Sequence, residues 1–511
     1  MKQKYINLAM SILVTLSAIG LISCGNEFSV LAAVDPRWEN TAQTFVEWCR
    51  TQDLSPYSKY TIDALLSKAG STDCDAAYRK LSSLTELDLS NSYITDLKPL
   101  ASLTNLTKLD LSSNYISDIQ PLASLTQLTE LDLLDNKVSS IQPLESLTQL
   151  TKLKLPDNKI NDIQALKFLT KLTEVDLHDN KISDIQALKF LTKLTKLNLW
   201  SNEVRDIKSL QYLTKLTELH LDANQIRDIQ SLQYLTKLTE LRLDGNEISD
   251  IKPLQYLTAL KLLGLNNNKV GDIKALQSLN NLTELHLANN QIREIKALQF
   301  LANLTQLHLE NNQLREIQAL QFLTDLTELH LEKNQIRDIK ALGPLNKLTS
   351  LLLLNNKISD IKALQSLTKL DEIYLANNLI SDIKPLGSLT NLTRLFLYEN
   401  QISDIKPLAF LTELNELHLG NNLITDIKPL KSLTKLSRLA INNNKIEDIQ
   451  PLTSLTSLSE LELDNNQIRN IQPLAALTRL GYVYLSGNPI VPKTCPLSPE
   501  SICKWEPVTR P

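Results

Sequence analysis

Leu106-Thr-Lys-Leu109-Asp-Leu111-Ser-Ser-Asn114-Tyr-Ile116-Ser-Asp-Ile119-Gln-Pro-Leu122-Ala-Ser-Leu125 forms the body of one repeat unit, and its spacing decides the fold. Leu109 and Leu111 alternate with polar residues, the pattern of a short strand with every second side chain turned inward. Asn114 follows in a turn, where an amide can bond backbone groups that would otherwise be buried unpaired. Ile116, Ile119, Leu122 and Leu125 then recur every three residues, which predicts a tight 3₁₀-like return rather than a full α-helix.

Outward from that unit, the Asn recurs at steps of 22 residues: Asn136, Asn158, Asn180, Asn202 and so on to Asn488. Ser92 holds the slot in the first copy, giving 19 units without insertion or deletion. A fixed period of this size marks a solenoid, in which each unit buries its apolar face against its neighbours. The expected fold is an α/β solenoid. Its strands form a parallel sheet on the concave face, with short 3₁₀ or helical returns on the convex face and right-handed crossovers. At about 4.8 Å per strand the sheet would extend on the order of 90 Å.

These residues closely resemble the leucine-rich repeat pattern LxxLxLxxNxI. The run Asp118-Ile119-Gln120-Pro121-Leu122 is similar to the bacterial internalin type of 22-residue repeat. The resemblance covers Leu81 to about Pro489 and implies a protein-binding scaffold. The flanking segments resemble the caps of cyanobacterial internalin-like proteins. Unlike the Listeria internalins, the chain ends soon after the C-terminal cap, without an immunoglobulin-like domain or an LPxTG-type sorting signal. That leaves any membrane attachment to its N-terminus, and host-cell invasion does not carry over.

Residues 1–33 read as a targeting segment, with Lys2 and Lys4 ahead of an apolar stretch from Ile6 to Ile22. Leu21-Ile22-Ser23-Cys24 resembles a lipobox, in which Cys24 is lipidated. Cleavage after Leu31-Ala32-Ala33, with simple secretion, is the rival reading, and a retained anchor is the third. Residues 34–80 form a helical N-terminal cap, 81–489 the solenoid and 490–511 a C-terminal cap. Helical spacing occurs in 41–49 and 61–66, with Gly70 as a stop, and Ser498-Pro499-Glu500 reads as a helix start. Cys49, Cys74, Cys495 and Cys503 are expected to pair as two disulfides, one in each cap, in an oxidising compartment. A zinc site is the alternative, though these cysteines have no nearby His.

A net charge of −4 with no basic block argues against nucleic acid, and only 11 glycines leave little room for a phosphate-cradling loop. No catalytic motif appears, so the chain is not expected to be an enzyme or to need a cofactor. The outward frame, seen in the first unit as Glu86, Asp88, Ser90 and Asn91, carries 24 acids against 8 bases over the 19 units. Such a face steers a cationic partner or simply keeps a long sheet soluble. The recurrent Asp/Glu-Ile-Lys/Gln run reads as a solvated row of charges.

All six His residues occupy the same outward frame. Among them His286, His308 and His330 form a ladder in three successive units, beside Glu284, Glu310, Glu328 and Glu332. It reads as a solvated product of duplication, as a metal site, or as a group that protonates together. Next to it Leu352, Leu354, Tyr374, Ala376, Phe396 and Tyr398 replace charges on three neighbouring strands, which predicts a ligand-binding hot spot. Trp200 and the Tyr482/Tyr484 pair are weaker candidates. The expected protein is therefore an extracytoplasmic monomer, a cell-envelope lipoprotein or a secreted form, that binds a protein or peptide. A structural spacer without a ligand is the alternative.

Overall fold

The computed structural model describes residues 43–506, so Cys24 and the rest of the targeting segment lie outside the described residues. Strands β1 (Glu86–Asp88) to β19 (Tyr482–Tyr484) fall at one place in each of the 19 units, and β20 (Cys503–Lys504) follows them. Among the described residues all twenty strands belong to one parallel sheet. Each pairs with the same residues one unit on, as Glu86 with Lys108 and Asp88 with Asp110. The returns are 3₁₀ segments such as Gln120–Ser124 and Lys274–Ser278, in agreement with the three-residue apolar spacing. The inward leucines and isoleucines of both layers form one continuous core from Phe45 to Cys503.

The Asn side chains join the units. Asn114 Nδ2 donates to the carbonyls of Leu89, Leu111 and Ser112 at 2.9–3.1 Å, and its Oδ1 accepts from the Ile94 amide at 2.8 Å. Leu89 and Ile94 belong to the preceding unit, so each Asn bonds backward. The first unit has no unit before it, and the Ser92 hydroxyl there donates to the Ser90 carbonyl of its own turn, while the Ser92 amide donates forward to Asn114 Oδ1 at 3.1 Å. The residue ahead of each Asn takes a left-handed backbone, with φ of 52° at Asp135, 55° at Asn267 and 66° at Gly245. Asn and Asp tolerate that conformation and Gly adopts it without a steric cost.

The Asp of the Asp-Ile-Lys/Gln run is not only a solvated charge. Asp118 Oδ1 accepts from the Gln120 amide at 2.9 Å and Asp272 Oδ1 from Lys274 at 2.8 Å, opening each 3₁₀ turn. A short carboxylate two residues upstream is well placed to take an amide that a helix start leaves unpaired.

Among the described residues three helices precede the sheet: α1 (Phe45–Arg50), α2 (Pro56–Ala69) and α3 (Cys74–Leu81). Thr44 and Glu47 form a capping box on α1, and Gly70 closes α2 in a left-handed conformation with φ 64°. The sequence reading did not foresee α3, which Asp73 caps through the Ala76 amide. The cap docks on the first unit: Phe45 is fully buried, Ser58 Oγ donates to Asp96 Oδ2 at 2.7 Å and Thr61 Oγ1 to the Asp96 carbonyl at 2.7 Å. Cys49 and Cys74 form the expected disulfide of this cap, which ties α1 to α3. At the other end Cys495 and Cys503 are bonded and β20 pairs with β19. Ser498 does not cap a helix there: Glu500–Ile502 is a single 3₁₀ turn preceded by Pro499, without a side-chain cap.

Two expectations follow from this architecture. Asn268 Nδ2 serves the carbonyls of Leu243, Leu265 and Asn266, and its Oδ1 serves the Ile248 amide. Asn268→Ala strands those buried groups and should cost about 2–4 kcal/mol in denaturant unfolding. Reduction of both disulfides should loosen the ends before the middle, because among the described residues only the caps are cross-linked. Hydrogen exchange that loosened uniformly along the solenoid would contradict it.

Candidate functional site

Side chains at the first and third position of every strand project from the concave face, and parallel pairing lines up equivalent residues as rows. The third-position row runs through β10 (Glu284–His286), β11 (Gln306–His308), β12 (Glu328–His330), β13 (Ser350–Leu352), β14 (Glu372–Tyr374), β15 (Arg394–Phe396) and β16 (Glu416–His418). The registers His286–His308, His308–His330, His330–Leu352, Leu352–Tyr374, Tyr374–Phe396 and Phe396–His418 are unbroken. The His ladder and the apolar patch, treated as neighbours in the sequence, are therefore one row across seven strands.

The rings in this row pack face to face, with His308 and His330 tilted by 37°. Centroids lie 4.4 Å apart for His286 and His308, 4.1 Å for His308 and His330, 4.3 Å for Tyr374 and Phe396, and 4.5 Å for Phe396 and His418. These spacings are shorter than the ~4.8 Å between strands. Side chains on the inside of a curved sheet converge in this way. The same convergence shields them: Leu352, Leu354, Tyr374, Phe396 and Tyr398 are half-buried and Ala376 is fully buried. The patch is thus a packed row with exposed upper edges, not an open apolar surface. Arg394 lies over both rings, 5.7 Å from Tyr374 and 5.5 Å from Phe396, and bridges Glu372 and Glu416 at 3.0 and 3.1 Å. That combination holds a cation and two carboxylates beside an aromatic stack.

Trp200 stands apart. It is the most exposed of the proposed contact residues, at 43%, and packs against His178 with ring centroids 5.5 Å apart. Tyr482 and Tyr484 lie at the end of the sheet, where Tyr484 pairs with Lys504 of β20. The sequence reading missed a second aromatic column. Phe168, Phe190, Tyr212, Tyr234 and Tyr256 close successive 3₁₀ segments on the convex side and are about half exposed. Its signal was the same 22-residue step, carried by a slot that core spacing alone does not pick out.

Electrostatics of the concave face differ from a formal residue count. Burial, followed by the charges of His330 and His286, pushes His308 down to about 3, so its imidazole is neutral. His286 Nε2 is 2.6 Å from Glu284 Oε1 and His330 Nε2 is 2.8 Å from Glu328 Oε1. Burial raises the carboxyls of Glu310 and Glu332. It also raises Asp222, to about 7, with the hydrogen bond that protonated Asp222 donates to Asp244 adding to the effect, and it raises Asp244. Gly264 makes room for this pair, since a Cβ there would meet the Asp244 carboxylate. The face is therefore less negative than its acids suggest.

Residues 82–146, 148–190, 192–234, 236–344 and 346–454 match the family model described as leucine-rich repeats in two copies. The chain belongs to the leucine-rich repeat family. Among solved structures it is similar to the internalin InlF of Listeria monocytogenes, with 31% identity, a TM-score of 0.53, and coverage of 71% of this chain and 95% of that one. A leucine-rich repeat protein of Leptospira interrogans is 26% identical, with a TM-score of 0.57 and coverage of 79% and 96%. The Arabidopsis receptor kinase HAESA ectodomain, solved with a peptide hormone ligand, has a TM-score of 0.67 at 23% identity over 80% of this chain and 77% of that one, a likeness of fold alone. No curated protein matches the chain. In this leucine-rich repeat protein the side chains on the sheet face change in chemistry from unit to unit, while those inside stay apolar.

The Asp222–Asp244 pair gives a pH dependence with a defined sign. Folded, Asp222 keeps its proton to about pH 7, whereas an unfolded Asp loses it near 3.9. The fold thus binds more protons than the unfolded chain across that interval, and stability falls as pH rises through it. Asp222→Asn should stabilise the protein by roughly 1–3 kcal/mol at pH 8 and by almost nothing below pH 4, read from denaturant midpoints.

Proposed function

We propose that this leucine-rich repeat protein is an exported scaffold that captures a protein or peptide on its concave sheet. The observation that carries the reading is the unbroken third-position row, in which Leu352, the Tyr374–Phe396–His418 stack and Arg394 stand together. Half-buried aromatic rings with polar rims supply large contact area at little entropic cost, because the stack already fixes their rotamers. Leu354 and Tyr398 flank the row, and Trp200 offers a separate contact further along the face. Glu416, which against the opposing effect of burial is held below the ordinary carboxylate range by His418 and Arg394, favours a ligand with basic side chains. The leucine-rich repeat ectodomain solved with a peptide hormone uses the same fold for such a role.

Export rests on the two cap disulfides, which persist in oxidising compartments. No helix among the described residues is long and apolar enough to cross a membrane. Attachment is assigned to a lipid on Cys24, with cleavage and secretion as the other route. The chain is divided into a targeting segment (1–33), an N-terminal cap (34–80), a solenoid (81–489) and a C-terminal cap (490–511). The caps are assigned to the cyanobacterial internalin-like sort, and the scaffold works as a monomer without enzymatic activity.

Affinity capture from the organism's own envelope and secreted fractions tests the reading. The bait is the mature protein, beside a variant carrying Leu352→Ser, Phe396→Ser and Tyr398→Ser, with circular dichroism to verify folding. A partner retained by the first should bind the second at least ~100-fold more weakly, as expected for aromatic anchors worth 2 kcal/mol or more. A partner held equally by both would move the site off this row. If neither bait holds a partner while envelope spacing responds to the number of repeats, the spacer reading replaces capture.

A further inference from the structure

The upstream half of the same row has a chemistry that ligand capture does not use. His308 Nε2, Glu328 Oε1 and His330 Nε2 converge: Glu328 Oε1 is 2.8 Å from His330 Nε2 and 3.9 Å from His308 Nε2. One donor atom from each of the three residues lies within 4.8 Å of the other two. Ligands of a tetrahedral ion with bonds of about 2.1 Å sit about 3.4 Å apart, and the two measured separations bracket that value. Small rotations of the Glu328 side chain would equalise them. We propose that His308, Glu328 and His330 form a binding site for a zinc-class divalent ion.

The surroundings support that assignment independently of any captured ligand. His330 Nδ1, the nitrogen left over when Nε2 binds an ion, faces Glu332 Oε1 at 3.9 Å. A carboxylate behind the far nitrogen of a metal-bound His fixes its tautomer and orientation. The other oxygen of Glu332 is buried and has no hydrogen-bond partner among the described residues, nor has Glu310 Oε2 one strand away. Such orphaned carboxylate oxygens are costly unless a positive charge stands nearby. His308 is held from both sides by the rings of His286 and His330, so its lone pair is aimed before an ion arrives. Three ligands come from two adjacent strands of a rigid sheet, and the fourth position opens onto the concave face. Glu328 is the most exposed of the three, with 35% of its side chain accessible, compared with 17% for His308 and 18% for His330.

Two imidazoles with one carboxylate select zinc, cobalt, nickel or copper over calcium and magnesium, which prefer all-oxygen sites. The acid-rich group Asp157, His178 and Asp179 offers only one nitrogen and is the natural internal control.

The test is calorimetric titration of the full chain, free of any added histidine tag and treated with a chelator, using Zn²⁺ alone. A parallel titration uses Co²⁺, whose visible spectrum reports tetrahedral coordination. One ion per chain is expected, unaffected by excess Mg²⁺ or Ca²⁺. His308→Gln and Glu328→Gln should each weaken it at least tenfold, and Glu332→Gln roughly 10–100-fold, the usual effect of losing an outer carboxylate. His178→Gln should leave it unchanged. Far-ultraviolet circular dichroism identical to the parent's verifies that the variants fold. The proposal is overturned if Zn²⁺ does not bind, if binding survives both His308→Gln and Glu328→Gln, or if it disappears with His178→Gln.

Discussion

A buried asparagine amide holds this molecule in register. Each turn from strand to return leaves carbonyls and an amide facing the core, where water cannot serve them. One side chain with two donors and a carbonyl acceptor answers four such groups, two of them in the preceding unit. No other residue of that length offers both functions. The bond reaches back 20–25 residues, so an insertion between one Asn and the next would pull donor and acceptor apart. That constraint accounts for 19 units of one length. It also keeps the strands in parallel register, on which the surface rows depend.

Rows are where this fold acquires chemistry. A side chain that is modest alone becomes part of a stack when its counterparts recur 22 residues away. Three imidazoles, a leucine, two aromatic rings and a fourth histidine occupy consecutive places in one row, and curvature draws them together until they touch. The result is a graded surface. Nitrogen and carboxylate donors gather upstream at β10 to β12, and apolar and aromatic groups downstream at β13 to β16. The two halves share one packed edge at the His330–Leu352 pairing.

The fold was almost wholly legible in the chain, because period, Leu alternation and the Asn slot all point to one architecture. Local chemistry was less so. Asp118 and its equivalents read as solvated acids, since nothing in their spacing shows that the carboxylate folds back on an amide two residues away. Helix α3 escaped because eight residues are too few for a periodic signal. The pairing of Cys74 with Cys49 was readable, but its partner helix was not. On the concave face the sequence says which side chains point outward, yet not how far neighbouring rows cover them. That is why Ala376 is buried and Leu352 half-buried. Raised carboxyls such as Asp222 and Glu332 have the same origin: their burial comes from adjoining strands rather than from their own neighbours in the chain.

A stack of equal units in unbroken register has no intrinsic reason to stop. Its terminal strands would present unpaired backbone to any second copy with the same spacing, and head-to-tail addition would then produce a filament. The two ends answer this differently. At one, three helices lay Phe45 into the core and cover the first unit. At the other, a two-residue strand completes the pairing and is clipped by Cys495 and Cys503, leaving an edge too short to template another. The caps therefore act as chain terminators of a one-dimensional crystal and give it a defined length.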